Sequence, residues 1–206
     1  MSYKVQPPLW LRAFFRGAVW RKTKSEKCVY LTFDDGPVEK ETLWVVELLK
    51  KYDIKATFFC VGENAKRHPH LMDVLLENGH SVGNHTFNHL PAWKCSRSAY
   101  FENIDKGKQY VPGQLFRPPH GQLYPWYMSA LKKRFKEIVM WDVLAMDYDK
   151  RLSKQTVVNN VMNHVRNGSI IVFHDSRKAW ERMSYALPIC LKRLQKEGYT
   201  FKVFEM

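Results

Sequence analysis

Short apolar strands and amphipathic helices alternate along most of the chain, and this alternation limits the fold more than any other feature. Residues 28–33 are β-branched and aromatic, which predicts a strand, and residues 40–52 repeat apolar side chains at helical spacing. Strands that alternate with helices predict a parallel sheet, because each helix carries the chain back to the start of the next strand. Strands are predicted over residues 28–33, 55–62, 80–85, 114–119, 137–144, 169–175 and 199–205.

This pattern favours an α/β fold in the form of a distorted, shortened (β/α) barrel of about seven strands. A full eight-stranded barrel typically takes about 250 residues, whereas this chain has 206. An open, doubly wound sheet is the alternative, but no G-x-G-x-x-G run follows a predicted strand, so a dinucleotide site has no support. In both architectures the chemistry gathers at the carboxyl ends of the strands.

The first 27 residues form a basic, aromatic lead, which we separate from a catalytic domain over residues 28–206. One predicted helical face of the lead is apolar, and Arg12 and Arg16 lie on another face. The apolar face comprises Trp10, Leu11, Phe14, Phe15, Ala18 and Val19. Two interpretations are open: the helix packs on the domain, which is the commoner fate of such a face, or it lies on an anionic membrane surface.

The formal net charge of +13 predicts affinity for an anionic partner. Nucleic acid, an anionic glycan and a membrane surface all fit the charge, which alone does not choose among them. No segment reaches the roughly 18 apolar residues that a membrane span needs, and Arg12 and Arg16 interrupt any secretory signal core. We therefore expect a cytoplasmic location or a peripheral one at the inner membrane face, unless a leader was removed.

Residues that ligate metals or transfer protons follow almost every predicted strand. Because the carboxyl ends of parallel strands meet at one edge of a sheet, these side chains are expected to lie together. In chain order they are Asp34, Asp35, His85, His89, Arg117, Asp147, His174 and Asp175.

His85 and His89 are four residues apart, a spacing that suits two ligands of one metal ion. Two imidazoles and one strand-end carboxylate leave positions open for water and substrate, which is typical of a catalytic site. Asp34 and Asp35 precede a Gly-Pro pair, so one aspartate is explained by turn chemistry. Two of them suggest that one carboxylate binds the metal and the other accepts a proton from water.

Arg117 stands before two prolines that stiffen its segment, which favours an arginine held against a carboxylate over a solvated surface charge. His174 ends an apolar strand. Such a histidine is either satisfied by a backbone carbonyl or, beside a metal, acts as a general acid for a leaving amine.

Four motifs together resemble the polysaccharide deacetylase family, carbohydrate esterase family 4, also called the NodB-homology domain. They are TFDDGP (residues 32–37), HTFNH (85–89), RPPHG (117–121) and VFH (172–174). Each is modest alone, but they occur in the family's order and spacing over about residues 28–206.

The resemblance implies a metal-dependent hydrolase that removes the acetyl group from an N-acetylated sugar, whether in a glycan, in peptidoglycan or linked to a lipid. Carried over by position, Asp35, His85 and His89 would hold the metal, which is usually zinc or cobalt and sometimes nickel in this family. A sugar is thus the expected partner, and neither nucleic acid nor an obligate protein partner is expected.

The resemblance also assigns roles to four further residues. Asp34 would be the general base, oriented by Arg117. The backbone N–H of His120 would stabilise the oxyanion, and His174 would protonate the departing amine.

The fourth family motif, commonly D-x-x-D-W, departs from the pattern here, with Leu144, Asp147 and Tyr148 at its three defining positions. In the family an acid of this motif tunes the catalytic histidine. Both Asp147 and Asp175 are open as that acid. Val172 replaces a leucine in the wall of the acetyl pocket, a smaller change.

The expected sugar contacts are mostly aromatic side chains, and core packing is the alternative for each of them. The candidates are Tyr124, Trp126, Trp141 and Tyr148, with Pro119 as a further contact. His120 stands where the family often has tyrosine, so the sugar contacts are expected to differ from those of other members.

Three rival functions agree with part of the sequence pattern. A non-haem iron oxygenase also uses two histidines and a carboxylate, but it leaves Asp34, Arg117 and His174 without roles. A glycan-binding protein that kept the fold without activity agrees with the basic charge. An amide hydrolase that acts on a non-glycan substrate is the third alternative.

Overall fold

One sheet of parallel strands forms the centre of the structure, a computed structural model that describes residues 5–22 and 25–205. Its strands follow the order β1–β6–β5–β4–β3–β2–β8–β7, and β9 pairs with the first half of β2. They are β1 (Ala18–Val19), β2 (Cys28–Asp34), β3 (Thr57–Cys60), β4 (Ser81–Asn84), β5 (Leu115–Phe116), β6 (Glu137–Val139), β7 (Val143–Leu144), β8 (Ser169–His174) and β9 (Thr200–Lys202).

Helices connect most of the strands and cover the outside of the sheet. They are α1 (Leu9–Phe14), α2 (Glu39–Lys51), α3 (Gly62–Arg67), α4 (Pro69–Glu77), α5 (Arg97–Lys108), α6 (Met128–Lys132), α7 (Lys154–Met162) and α8 (Trp180–Lys196). Short 3₁₀ helices cover Ala92–Lys94, Pro119–Gly121 and Pro125–Tyr127.

The sheet curls into a barrel because the chain passes directly from β6 to β7, which lie near opposite ends of the strand order. Only residues 140–142 separate them. The N–H of Met140 donates to the carbonyl of Val19 in β1 (2.8 Å), and the N–H of Asp142 donates to the carbonyl of Ile170 in β8 (3.0 Å). The predicted distorted, shortened barrel is therefore confirmed.

Two sequence predictions about strands were wrong in detail. Residues 137–144 form two strands rather than one, because the chain leaves β5 and crosses to β8 at the break. Ala18 and Val19 do not continue a helix but pair in parallel with Ile138 and Val139. The helix ends at Phe14, and the turn that follows includes Gly17, whose φ of 91° is in the left-handed region that favours glycine.

The apolar side chains of the lead divide between the core and solvent. Phe15 and Trp20 are buried in a cluster with residues of α5 and α6. Leu9, Trp10 and Phe14 are 78%, 65% and 64% exposed. Residues 1–4 and 23–24 of the lead, and residue 206, lie outside the described residues. Among the described helices, none has the length and apolar character to cross a membrane.

Alternation along β2 decides which side chains enter the barrel. Val29, Leu31 and Phe33 pack in the cluster beneath the outer helices. Cys28 and Tyr30 pack in a separate, inner cluster. Because successive side chains of a strand point to opposite faces, Thr32 and Asp34 also face the inside, with Asp34 at the carboxyl end.

Candidate active site

A cleft of about 710 Å³ opens at the carboxyl ends of the strands and gathers most of the predicted site residues. It also has lining residues that the sequence did not predict, among them Gln122 and Lys178. The predicted residues in its lining are Asp34, Asp35, His85, His89, Arg117, His120, Trp141, Leu144, Tyr148, Val172 and His174.

The turn that carries Asp34 and Asp35 is held in place by Asp175. Asp175 Oδ1 accepts from the N–H of Gly36 (3.1 Å), and Oδ2 accepts from the hydroxyl of Thr42 (2.6 Å). A Cβ at Gly36 would overlap the Asp175 carboxyl group, so only glycine fits there. Burial raises the pKa of Asp175 to about 8. Asp175 therefore positions the turn, and it is buried behind the cleft rather than lining it.

Arg117 binds Asp34 inside the barrel. Its Nη1 donates to Asp34 Oδ1 at 2.6 Å and to the hydroxyl of Thr32 at 2.8 Å. Nε and Nη2 donate to the carbonyls of Val139 (3.3 Å) and Met140 (3.0 Å), and the guanidinium lies 4.0 Å from the ring centroid of Phe59. Each guanidinium nitrogen is thus used, and the buried arginine has one orientation, as the rigid segment predicted.

Asp35, His85 and His89 offer ligand atoms that all lie within 4.8 Å of one another. Asp35 Oδ1 is 3.2 Å from His89 Nε2 and 3.9 Å from His85 Nε2. Asp35 and His89 reach these positions from left-handed backbone, with φ values of 81° and 59°. The chain between the two histidines is a turn rather than a helix start.

A contact behind the metal ligands fixes one of them in the tautomer that a metal requires. His85 Nδ1 lies 2.7 Å from the carbonyl oxygen of Arg117. Since a carbonyl only accepts, Nδ1 carries the hydrogen, and the lone pair of Nε2 faces Asp35 and His89. Two imidazole nitrogens and one carboxylate match the donor set of a catalytic zinc site.

The local electrostatics also favour the protonation states in which these side chains can bind a metal. Burial lowers the pKa of His85 to about 4, so this buried imidazole is neutral at pH 7. Burial acts to raise the pKa of Asp35, but its hydrogen bond to His89 and the nearby histidine charges hold that pKa well below its usual range. A neutral imidazole and an ionised carboxylate are the forms that bind a divalent metal.

His174 is paired with Asp147, one of the two acids that the fourth motif left open. His174 Nδ1 lies 2.7 Å from Asp147 Oδ1, and the backbone N–H of His174 donates to Oδ2 at 2.9 Å. Burial acts to lower the pKa of His174, but the charge and hydrogen bond of Asp147 outweigh it and raise that pKa to about 9. Arg182 holds the Asp147 backbone carbonyl at 2.8 Å.

The walls of the cleft are only partly those that the sequence predicted. Trp141 lies over Gly121, where a Cβ would meet its ring at 2.5 Å, and Tyr148 sets its ring at right angles to His174 at 4.9 Å. Trp126 does not line the cleft: it is 69% exposed and stacks on Tyr124.

Two further predicted sugar contacts also lie away from the lining. Pro119 is buried, and its neighbour Pro118 lines the cleft instead. Tyr124 is half-buried against the cluster around Phe15 and Tyr127. Both residues stand at the start of a short helical turn, which sets the direction of the side chain: Pro119 is the first residue of Pro119–Gly121, and Tyr124 caps Pro125–Tyr127.

Comparison with known proteins places this chain in a family. The model of the polysaccharide deacetylase family matches residues 21–135. The chain is 33% identical over 188 residues to a peptidoglycan-N-acetylglucosamine deacetylase of Bacillus cereus, covering 88% of each chain. The chain belongs to the polysaccharide deacetylase family. The resemblance carried by the four sequence motifs is thereby confirmed.

This member of the polysaccharide deacetylase family is also similar to two other proteins. The crystal structure of the Bc1960 peptidoglycan N-acetylglucosamine deacetylase superimposes with a TM-score of 0.86 at 28% identity, over 95% of this chain and 93% of that one. A peptidoglycan-N-acetylmuramic acid deacetylase of Bacillus subtilis is 32% identical over 182 residues, which are 85% of this chain but 37% of that protein. Relatives at similar identity thus act on different sugars of peptidoglycan.

Proposed function

We propose that this protein is a metal-dependent deacetylase that hydrolyses the acetamido group of an N-acetylated glycan to acetate and a free amine. One observation carries the proposal: a three-residue ligand set, an arginine-held carboxylate and a histidine–aspartate pair meet in one cleft. The relatives named as deacetylases of peptidoglycan sugars support a glycan as the substrate.

The metal would be held by Asp35, His85 and His89. Nitrogen and oxygen donors in this number suit Zn²⁺ best, and Co²⁺ and Ni²⁺ accept the same ligands. A divalent ion bound there supplies Lewis-acid polarisation of the acetyl carbonyl and acidifies nearby water.

Asp34 is the proposed general base. Its Oδ1 is bound by Arg117, and Oδ2 is 4.0 Å from His85 Nε2, on the side of the proposed metal ligands. The attacking water gives its proton to Asp34 as its oxygen bonds to the acetyl carbon. The backbone N–H of His120, a cleft residue with a φ of 57°, is the proposed donor to the oxyanion.

His174 is the proposed general acid. Asp147 raises the pKa of His174 to about 9, so the imidazole of His174 is protonated at pH 7. When the carbon–nitrogen bond breaks, His174 gives a proton to the amine nitrogen, and Asp147 stabilises the imidazolium until that moment. Val172 offers an apolar wall for the acetyl methyl group.

Release of acetate from N-acetylglucosamine oligomers by the purified protein tests the proposal. Chelation should abolish release, and Zn²⁺ or Co²⁺ should restore it. Metal bound in one equivalent with no release from any glycan would favour the alternatives, a glycan-binding protein or an amide hydrolase on another substrate. A protein that binds no metal would contradict the site itself.

Contact of the lead with an anionic membrane surface stays a prediction, as do the cytoplasmic or peripheral location and the division at residue 27. The exposed Leu9, Trp10 and Phe14 favour membrane contact. Since α1 precedes β1, it lies at the amino ends of the strands, opposite the cleft. Co-sedimentation with anionic and zwitterionic vesicles, compared between the protein and its Trp10→Ser variant, tests this prediction.

A further inference from the structure

We propose that the cleft selects an N-acetylated amino sugar that carries a carboxylate or phosphate beside its acetamido group, and that Lys178 binds this acidic group. The proposal rests on the deacetylase function proposed above and names the substrate class of the same site. It assigns a role to a lining residue that none of the four motifs contains.

Lys178 stands on the same side of the cleft as the proposed general acid. It follows the end of β8 by four residues, is exposed, and lines the cleft. Its ammonium lies 5.4 Å from the ring centroid of Tyr148, and the Tyr148 ring lies 4.9 Å from that of His174. Tyr148 is therefore a neighbour of both Lys178 and His174 in the wall.

The positive charge of Lys178 is not neutralised by the acids of the site. Each of the site's carboxylates has a partner of its own, and among the ion pairs of the described residues none includes Lys178. The pairs are Asp34 with Arg117, Asp35 with His89, and Asp147 with His174. The ammonium is thus available to an anion that enters the cleft.

A second lysine adds to the positive field over the cleft. The charges of Lys94 and Lys178 both reach His120 in the lining of the cleft. Both lysines are exposed, and they come from different segments, the 3₁₀ helix Ala92–Lys94 and the loop after β8. Two positive charges, carried by different segments, therefore favour an anion at the mouth of the cleft.

At one position the cleft wall also has an apolar side chain where an acid would repel such a substrate. Leu144 lines the cleft at the position where the fourth motif commonly has aspartate. A carboxylate there would repel an acidic sugar in the same cleft. The apolar side chain of Leu144 removes that repulsion.

The position of Lys178 indicates where the acidic group sits on the sugar. In the proposed mechanism His174 donates to the amine nitrogen, and Tyr148 lies between this histidine and Lys178 in the contacts of the wall. An acid attached to a ring carbon next to the nitrogen-bearing carbon would be close enough to His174 to come within reach of Lys178. A lysine ammonium acts as a point charge, so it accepts either a carboxylate or a phosphate.

The test compares sugars that differ only in charge. One pair is a tetrasaccharide of alternating N-acetylglucosamine and N-acetylmuramic acid, and the same tetrasaccharide with its carboxylates methyl-esterified. The other pair is N-acetylglucosamine 1-phosphate and the methyl glycoside of N-acetylglucosamine. The variants are Lys178→Gln and, as the matched control, Lys196→Gln. Lys196 is in the last turn of the 17-residue helix α8, whose ends are about 24 Å apart.

For the wild type we expect kcat/KM to be about three- to tenfold higher for the acidic member of at least one pair. Lys178→Gln should remove this preference by lowering kcat/KM for the acidic sugar alone, whereas Lys196→Gln should keep it. Added salt should shrink the wild-type preference. The pair that shows the effect identifies the acid as carboxylate or phosphate.

An equal loss on charged and neutral sugars in Lys178→Gln would overturn the proposal, and so would a wild type that prefers neither member of a pair. Failure of the wild type to release acetate from any of the four sugars would instead contradict the proposed function. In that case binding of the same sugars, followed by calorimetry, still decides the role of Lys178. Equal affinity for the acidic and neutral forms would refute it.

Discussion

Two buried aspartates of this molecule, Asp34 and Asp142, are both bound by arginine. They differ in whether one or both of their carboxylate oxygens accept hydrogen bonds. Asp142 is fully buried after the break that follows β6. Its Oδ1 accepts from Arg12 and Arg166 at 2.7 Å each, and its Oδ2 accepts from Arg166 at 3.0 Å and Ser169 at 2.7 Å. Burial acts to raise its pKa, but these donors outweigh burial and lower it.

Asp34 accepts from one side only. Its Oδ1 receives the 2.6 Å bond from Arg117, and among the described residues no donor reaches its Oδ2. A carboxylate whose two oxygens are both occupied holds structure and accepts a proton poorly. A carboxylate fixed by one oxygen and open at the other is aimed and still able to accept a proton. The difference separates a structural ion cluster from a proposed base.

The largest expected effect comes from Asp34→Asn, which removes the open oxygen as a base. We expect kcat for acetate release to fall about a thousandfold, with metal binding retained. Asp142→Asn is the matched control and should change kcat less than about tenfold, because its cluster lies outside the cleft lining. Equal losses in both variants would erase the functional contrast between the two aspartates.

Arg117→Met breaks the buried pair at the site and should lower the free energy of unfolding by about 3–5 kcal/mol, because Asp34 is left buried without its partner. Arg166→Met should cost less, since the Arg166 side chain is 44% exposed and Arg12 still binds Asp142. Urea unfolding of both variants measures the difference. Equal stability losses would mean that the deeper burial of Arg117 does not make its ion pair more important for stability than that of Arg166.

Asp142→Asn should lower the free energy of unfolding by about 1–3 kcal/mol, because two arginines lose their charge-assisted hydrogen bonds. The cluster ties α1, through Arg12, to the junction of β6 and β7. Thermal unfolding followed by circular dichroism tests the size of the loss. A variant as stable as the wild type would show that the cluster contributes nothing net.

The smallest effect concerns Asp147, a third buried aspartate, whose oxygens both accept from His174. With the pKa of His174 raised to about 9, activity that needs the imidazolium should fall as pH rises through about 9. Asp147→Asn lowers that pKa, so the alkaline limb should move to lower pH by at least one unit, about 1.4 kcal/mol. The pH profile of kcat measures the shift.

A linked change in stability follows from the same pair. Because the folded-state pKa of His174 is raised, its contribution to stability is full below the ordinary histidine pKa and is lost as pH rises through about 9. Asp147→Asn should remove that pH dependence of unfolding. If the alkaline limb of the pH profile does not move in Asp147→Asn, it belongs to a group other than His174. The same conclusion follows if the limb is still present in His174→Gln.

The proposed ligand set was predictable because the signals are local. Asp35, His85 and His89 stand within short motifs directly after predicted strands, and the parallel sheet brings strand ends together. The partner of His174 was not predictable, because Asp147 and Asp175 are equally reasonable until their backbones are placed. Trp126 was wrongly placed in the cleft because aromatic character does not show which way a short helical turn points it.

The sequence by itself determined the alternation of strands and helices, the order of the four motifs and the chemical types of the site. These follow from side-chain periodicity and from neighbours along the chain. Tertiary structure decided how the barrel closes between β6 and β7, that Ala18 and Val19 form a strand, and which oxygen of Asp34 stays open. Those outcomes depend on contacts between distant residues, such as Arg12 with Asp142, whose energies no local pattern records.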